Sequence, residues 1–155
     1  MVETRIKPIT SRDIADLIAI GETCGLSPWT AQNYIDELKN PNSIMLSLKS
    51  AEASTVGFIV GRLVPAVDND FDIDAEIYNI AVAGPHRNQG LGELLLGAFC
   101  SKCVDNKVRQ IWLEVRESND VASRFYRNRE FQAFSRRRSF YRDPVEDAIL
   151  MRRTL

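Results

Sequence analysis

Apolar and polar positions repeat with two different periods along the chain, and each change of period marks an element. Val2, Thr4 and Ile6 alternate with Glu3, Arg5 and Lys7, which predicts a first strand over Val2 to Ile9. Ile14, Leu17, Ile18 and Cys24 then recur at helical spacing behind Thr10-Ser11, either of which can cap a helix. Asp13 sits where the first turn favours an acid. A second helix is predicted in "LSPWTAQNYIDELKNP", opened by Ser27-Pro28 or Thr30 and closed before Pro41. Ile44 to Lys49 and Thr55 to Val64 read as strands joined by "SAEAS". Next come a strand over Glu76 to Val82, a helix over about Leu91 to Cys103 and a strand over Gln110 to Val115. A helix over about Asn119 to Arg129 and strands near Phe131 to Tyr141 and Asp147 to Leu155 complete the chain. Helical and strand periods interleave without a repeat, a low-complexity tract or a linker. The expectation is one mixed α/β (α+β) domain over residues 1–155.

Composition narrows the function classes. The 155 residues suffice for a real core, and 45% hydrophobic with 26% charged residues is ordinary for a soluble globular protein. A formal net charge of -1 disfavours nucleic acid as a partner of the whole surface. No apolar run approaches the roughly 18 residues that span a bilayer, and "MVETRIKPIT" has no signal-peptide core, so no membrane partner is expected. Three cysteines cannot all pair within one chain, which fits a reduced, cytoplasmic setting.

Several stretches invite a sharper reading and do not support one. "AVDNDFDIDAE" carries four aspartates at alternate positions, but a calcium loop starting at Asp68 would need Gly at Ile73 and Glu at Asn79. It reads as a solvated acidic loop or hairpin. Cys100 and Cys103 form C-x-x-C without a second pair, so they read as reduced, half-buried thiols, and no metal is expected. His86, the only histidine, reads as a loop residue. Arg136-Arg137-Arg138 with Phe140 and Tyr141 resembles a single-strand-binding pattern. On a strand, however, Arg137 points opposite to its neighbours, which suits a solvated strand or a rim for an acidic protein or ribosomal surface.

The chemistry concentrates in "IYNIAVAGPHRNQGLGELLLGAF", where an apolar strand meets a glycine turn and then a helix. A Walker loop fails because Glu93-Leu94 stands where Lys-Ser/Thr is required. The dinucleotide fingerprint matches Gly90 and Gly92 but fails at Leu95. R/Q-x-x-G-x-G/A is satisfied by Arg87, Asn88, Gln89, Gly90, Leu91 and Gly92. Such a turn lets consecutive N–H groups converge on a pyrophosphate at a helix N-terminus. Downstream, "IWLEVRESNDVASRFYRNREF" places Glu114 among apolar strand residues, 12 positions before Tyr126 on the next helix. Glu114 could equally be a solvated acid or a salt-bridge partner of Arg116. Tyr126 could be a core aromatic, on a face shared with Val121, Ala122 and Phe125.

Strand, glycine turn and helix together resemble the GNAT superfamily of N-acetyltransferases. The string "LEVRESNDVASRFYRNREF" is similar, within it, to the ribosomal-protein-alanine N-acetyltransferases (RimI type). "SPWT" (Ser27 to Thr30) and "EDAILM" (Glu146 to Met151) match two further stretches of that family. The resemblance implies a GNAT fold: a mixed, mostly antiparallel sheet of about seven strands, flanked by about four helices and splayed between strands 4 and 5. It implies acetyl-CoA as cosubstrate with no metal, held by Ile80, Ala81 and Val82 through backbone and by Arg87 and Asn88 to Glu93 at the pyrophosphate. Asn119 and Tyr126 would also contact the coenzyme. Glu114 would be the general base and Tyr126 the general acid, in direct transfer to an acceptor held around Pro28, Trp29 and Tyr141. Glu76, at the start of the fourth strand near that side, could assist Glu114 or bind the substrate amine.

The implied acceptor is the N-terminal α-amine of a protein or peptide, a ribosomal protein with N-terminal alanine foremost, and the implied assembly is a monomer or homodimer. An acetyltransferase for a small amine or lysine side chain, or a non-catalytic acyl-CoA-sensing module, are the competing readings. Two departures stand out. Glu130-Phe131 replaces the family's Gly-Phe, so Glu130 must accept a left-handed backbone or the turn differs. Phe140-Tyr141 replaces a Tyr-Tyr.

Overall fold

The computed structural model describes residues 5–24 and 29–155. Val2 and the helix start at Ser27-Pro28 lie outside the described residues. The elements run β1 (Arg5–Pro8), α1 (Ile14–Thr23), α2 (Ala31–Leu38), β2 (Ser43–Lys49), β3 (Thr55–Pro65) and β4 (Ile73–Val82). They continue with α3 (Leu91–Asp105), β5 (Val108–Arg116), α4 (Asp120–Arg127), β6 (Gln132–Tyr141) and β7 (Glu146–Thr154). A seven-stranded sheet in the order β1-β2-β3-β4-β5-β7-β6 runs through the molecule. Among the described residues only β4 and β5 pair in parallel; the other neighbours are antiparallel.

The sheet carries a core on each face. Leu91, Leu95, Leu96 and Phe99 of α3 pack with Tyr126 of α4 against Ile59, Ile77, Leu113 and Val115. On the other face Leu17 and Ile20 of α1 and Tyr34 of α2 pack against Phe58, Val60 and Ala81. The central strands are buried on both sides, which explains why "IMLSL" and "VGFIV" read as continuous apolar runs. Thr30 caps α2 by accepting from the Asn33 N–H at 3.1 Å.

Two local features shape the middle of the sheet. Gly61 faces Ile77 and Val60 faces Asn79, so Tyr78 is the extra residue of a β-bulge in β4. Gly61 is needed there, because a Cβ would sit 2.5 Å from the Glu76 carbonyl oxygen and overlap the Phe99 ring. The β4–β5 pairing then stops at Ile77↔Leu113, although β4 runs on to Val82 beside β3 and β5 to Arg116 beside β7. The bulge bends β4 away, and a gap opens where the resemblance implied a splay.

Three expectations are corrected. Val121 is 83% exposed, because Ala122, Phe125 and Tyr126 form the stripe that faces the core. The acidic stretch is partly strand: Asp74 is fully buried in β4, taking hydrogen bonds from Arg109 at 3.3 Å and Gln110 at 3.0 Å. Arg109 also reaches Asp68 at 2.8 Å, so the acids serve an internal ion-pair network. Arg116 pairs with Glu146 at 3.3 Å and stacks on the Tyr141 ring, so it is not the partner of Glu114. Glu130 does take the left-handed backbone, with φ of 70°, and its carboxylate meets Arg153 at 3.2 Å.

Candidate active site

The gap between β4 and β5 offers unused backbone. The Ala83 N–H donates to the Val56 carbonyl on β3, so by strand alternation the main-chain groups of Val82 and Ile80 point away from β3 into the gap. The Val82 carbonyl is met there by Arg87 Nε at 3.1 Å and by the Cys24 thiol at 3.4 Å. Ile80 and Val82 lean on the α3 side of the sheet, and Ala81 is buried on the α1 side. Asn79 lies in the same stretch, 5% exposed, and its Nδ2 has no hydrogen-bond partner among the described residues. An orphaned buried donor costs about 1–3 kcal/mol, so the stretch is poised to give a hydrogen bond to something that enters. Sequence reasoning passed over Asn79; the available signal was an amide inside the apolar run "EIYNIAV".

The glycine turn sits at the end of this gap. Asn88 (φ 61°) and Gly90 (φ 75°) are both left-handed around Gln89, an alternation that turns successive N–H groups into one concavity. Gly90 is the N-cap of α3 and brings no side-chain hydrogen bond, and Leu94 is the first residue to bond back into the helix. The N–H groups of Leu91, Gly92 and Glu93 are therefore left for an external acceptor, at the positive end of a 15-residue helix. Leu91 anchors the turn by burying its side chain, and Glu93 is tied to Arg129 at 3.3 Å. Arg87 folds back toward Cys24, 2.8 Å from the sulfur, and so does not extend along the turn.

Glu114 and Tyr126 lie on opposite faces of β5. Leu113 and Val115 point into the α3–α4 core, so Glu114 between them points to the other face, where Arg137 of β6 meets it at 3.2 Å. Burial raises the Glu114 pKa and the Arg137 charge partly offsets this. Tyr126 is 5% exposed, its ring edge-on to Phe125 and Phe131 at 5.2 and 5.4 Å, and burial pushes its phenol well above the ordinary value. Asn119 spends its side-chain oxygen capping α4, accepting from the Ala122 N–H at 3.1 Å.

On the Glu114 face the other candidates assemble. Trp29 stacks near Tyr34 and Tyr78, with centroids 5.1 and 6.0 Å apart. Glu76 and Tyr141 both sense the Glu114 charge, which adds to the burial that raises their own pKa values. Burial pushes the Tyr78 phenol up to about 12. Pro28 lies outside the described residues. Tyr78, Arg62 and Arg137 join this face without any sequence signal, since only the strand register brings them together.

A model of the acetyltransferase (GNAT) family matches residues 14–131. The chain belongs to the GNAT family. It is therefore an acyltransferase by descent, and its mixed sheet with one parallel pair is the GNAT fold. A ribosomal protein bS18-alanine N-acetyltransferase of Haemophilus influenzae is a GNAT relative 32% identical over 152 residues, covering 94% of this chain and 95% of its own length. The solved ribosomal-protein-S18-alanine N-acetyltransferase of Escherichia coli superimposes with a TM-score of 0.83 at 26% identity, over 98% of this chain and 94% of that one. Arabidopsis thaliana NAA60, solved in complex with acetyl-CoA, shares the fold with a TM-score of 0.88 at 16% identity, over 99% of each chain.

Proposed function

We propose that this GNAT protein transfers the acetyl group of acetyl-CoA to the N-terminal α-amine of a protein, with an N-terminal alanine of a ribosomal protein such as bS18 as acceptor. The observation that carries the reading is Glu114. It is a half-buried carboxylate of raised pKa beside a gap edged by unused backbone, in a chain similar over nearly its whole length to enzymes named for that reaction. Acetyl-CoA supplies an acetyl thioester, and the residues present fit it. The uncapped N–H groups of Leu91 to Glu93 and the concavity at Asn88 to Gly90 suit a pyrophosphate. The backbone of Ile80 and the N–H of Val82 suit an extended arm that pairs like an added strand.

Glu114 takes a proton from the acceptor ammonium, directly or through a water, and the free amine adds to the thioester carbonyl. The Val82 N–H faces the charge that develops on the carbonyl oxygen. The carbon–sulfur bond then breaks, the extra proton on the new amide nitrogen passes through water to the departing thiolate, and Tyr126 donates a hydrogen bond to that sulfur. A thiol near pKa 8.5 is a stronger acid than this buried phenol, so Tyr126 works chiefly as a hydrogen-bond donor that is never ionised. Replacing Tyr126 with Phe keeps the ring packing, so the melting temperature should hold while kcat falls about 10²-fold. An unchanged kcat in Y126F would remove the residue from the chemistry.

The acceptor is tested by free coenzyme A release from N-terminal hexapeptides varied at residues one to four. Alanine-initiated ribosomal sequences should be acetylated and their N-terminally blocked forms should not. Acetylation of small free amines alone would overturn the protein-acceptor reading.

A further inference from the structure

Glu76 and Glu114 stand on neighbouring parallel strands at the place where those strands part. Glu76 is level with Trp112, so Glu114 lies two residues further along β5 on the same face. Strand geometry puts their Cα atoms on the order of 8 Å apart, within mutual reach of the two side chains. Around them, Arg62 of β3 is held by both carboxylate oxygens of Glu37 on α2 and lies over the Tyr78 ring. Arg137 of β6 is on Glu114 at 3.2 Å. Tyr78 of β4 and Tyr141 of β6 face the pair as neutral phenols. The charges do not balance. Among the described residues the two carboxylates share one cation not already committed elsewhere, which leaves the cluster one positive charge short.

We propose that Glu76 and Glu114 form a carboxylate pair whose missing cation is the acceptor's ammonium group, with Glu76 holding the amine in its charged form until Glu114 takes the proton. The proposal rests on the acetyl-transfer reading of the site and adds a second acidic residue to it. Nothing in the coenzyme half of the gap requires Glu76, and a merely structural carboxylate would have its own cation. The one arginine nearest to it on β3 is instead bound by Glu37. Burial and the Glu114 charge both raise the Glu76 pKa, and the Tyr78 hydrogen bond and the Arg137 and Arg62 charges only partly offset this. An ammonium ion bound between the two carboxylates supplies the missing charge. Glu76 acts by binding and orienting the acceptor, and the bond-making steps stay with Glu114 and the backbone.

The test uses the full chain in two forms, wild type and Glu76→Gln. With an alanine-initiated hexapeptide and acetyl-CoA, E76Q should raise the acceptor KM about tenfold or more while kcat stays within about threefold. Glu76→Asp, which keeps the charge, should recover part of the loss. Removing a like charge lowers the pKa of the carboxylate that remains, so the acid limb of kcat/KM should move to lower pH in E76Q. A second readout needs no turnover: calorimetric binding of the hexapeptide and of its desamino analogue in the presence of coenzyme A. Wild type should prefer the ammonium form by about tenfold, and E76Q should lose the preference. If E76Q keeps both the KM and the preference, the pair is wrong. If wild type binds small alkylammonium ions in a Glu76-dependent way but acetylates no peptide, the N-terminal acceptor reading fails and the pair stands.

Discussion

Glu114→Gln should lower kcat for an alanine-initiated peptide by about 10²-fold or more, with the KM for acetyl-CoA nearly unchanged. Glutamine has the same shape and can still accept from Arg137, so β5 and β6 should stay in register and the melting temperature should move little. What is lost is the group proposed to take the amine's proton on this face of the gap. The Glu114 pKa is raised by burial and partly held back by the Arg137 charge, which makes it a stronger base than an exposed carboxylate. In E114Q the amine has to lose its proton to bulk water. A peptide α-amine titrates near pKa 7.7–8.0, so the residual rate should climb with pH up to about 8. Wild type, which deprotonates the bound ammonium, should show a flatter profile there. Steady-state release of coenzyme A across that pH range checks both statements, and an E114Q enzyme with wild-type kcat would remove Glu114 from the base role.

Gly61→Ala should be the most destabilising single methyl in the sheet. Its Cβ would lie 2.5 Å from the Glu76 carbonyl oxygen and against the ring of Phe99, which is fully buried under α3. Neither can move cheaply: the oxygen belongs to the strand that carries the bulge, and the ring fills the core. Overpacking of this kind costs about 3 kcal/mol, which for a chain of this length lowers the melting temperature by about 6–12 °C. The double variant Gly61→Ala/Phe99→Leu relieves the ring but not the oxygen, so it should fall short of the summed single losses. Thermal denaturation of the four forms measures the coupling. A melting temperature within 2 °C of wild type for G61A would show that β4 shifts freely at the bulge. In that case the gap could not be a fixed site.

Much of this molecule could be read from the linear pattern. The alternating strands, the two helical stripes around Leu17 and Leu95, and the left-handed glycine before α3 each depend on neighbours within four residues. The spacing of Glu114 and Tyr126 was visible for the same reason, since a strand, a turn and a helix fix their relative places. Val121 was misread because periodicity gives a stripe but not its centre, and one residue of rotation turns it from core to solvent. Asp74 was misread because its partner, Arg109, lies 35 positions away.

By itself, then, the sequence determined the family, the order of elements, and the glycine turn, acid and phenol that are the candidates for its chemistry. Each of those is written in local spacing. Tertiary structure alone decided that β4 and β5 part after Ile77 and Leu113, that Glu114 and Tyr126 face opposite sides of the opening, and that Glu76, Arg137 and Tyr141 gather on the Glu114 side. These are properties of strand register, which is set by a bulge at Tyr78 and by pairings between residues far apart in the chain. No short-range pattern encodes a register between distant strands, so the gathering of Glu76, Arg137 and Tyr141 beside Glu114 became visible only once the sheet was assembled.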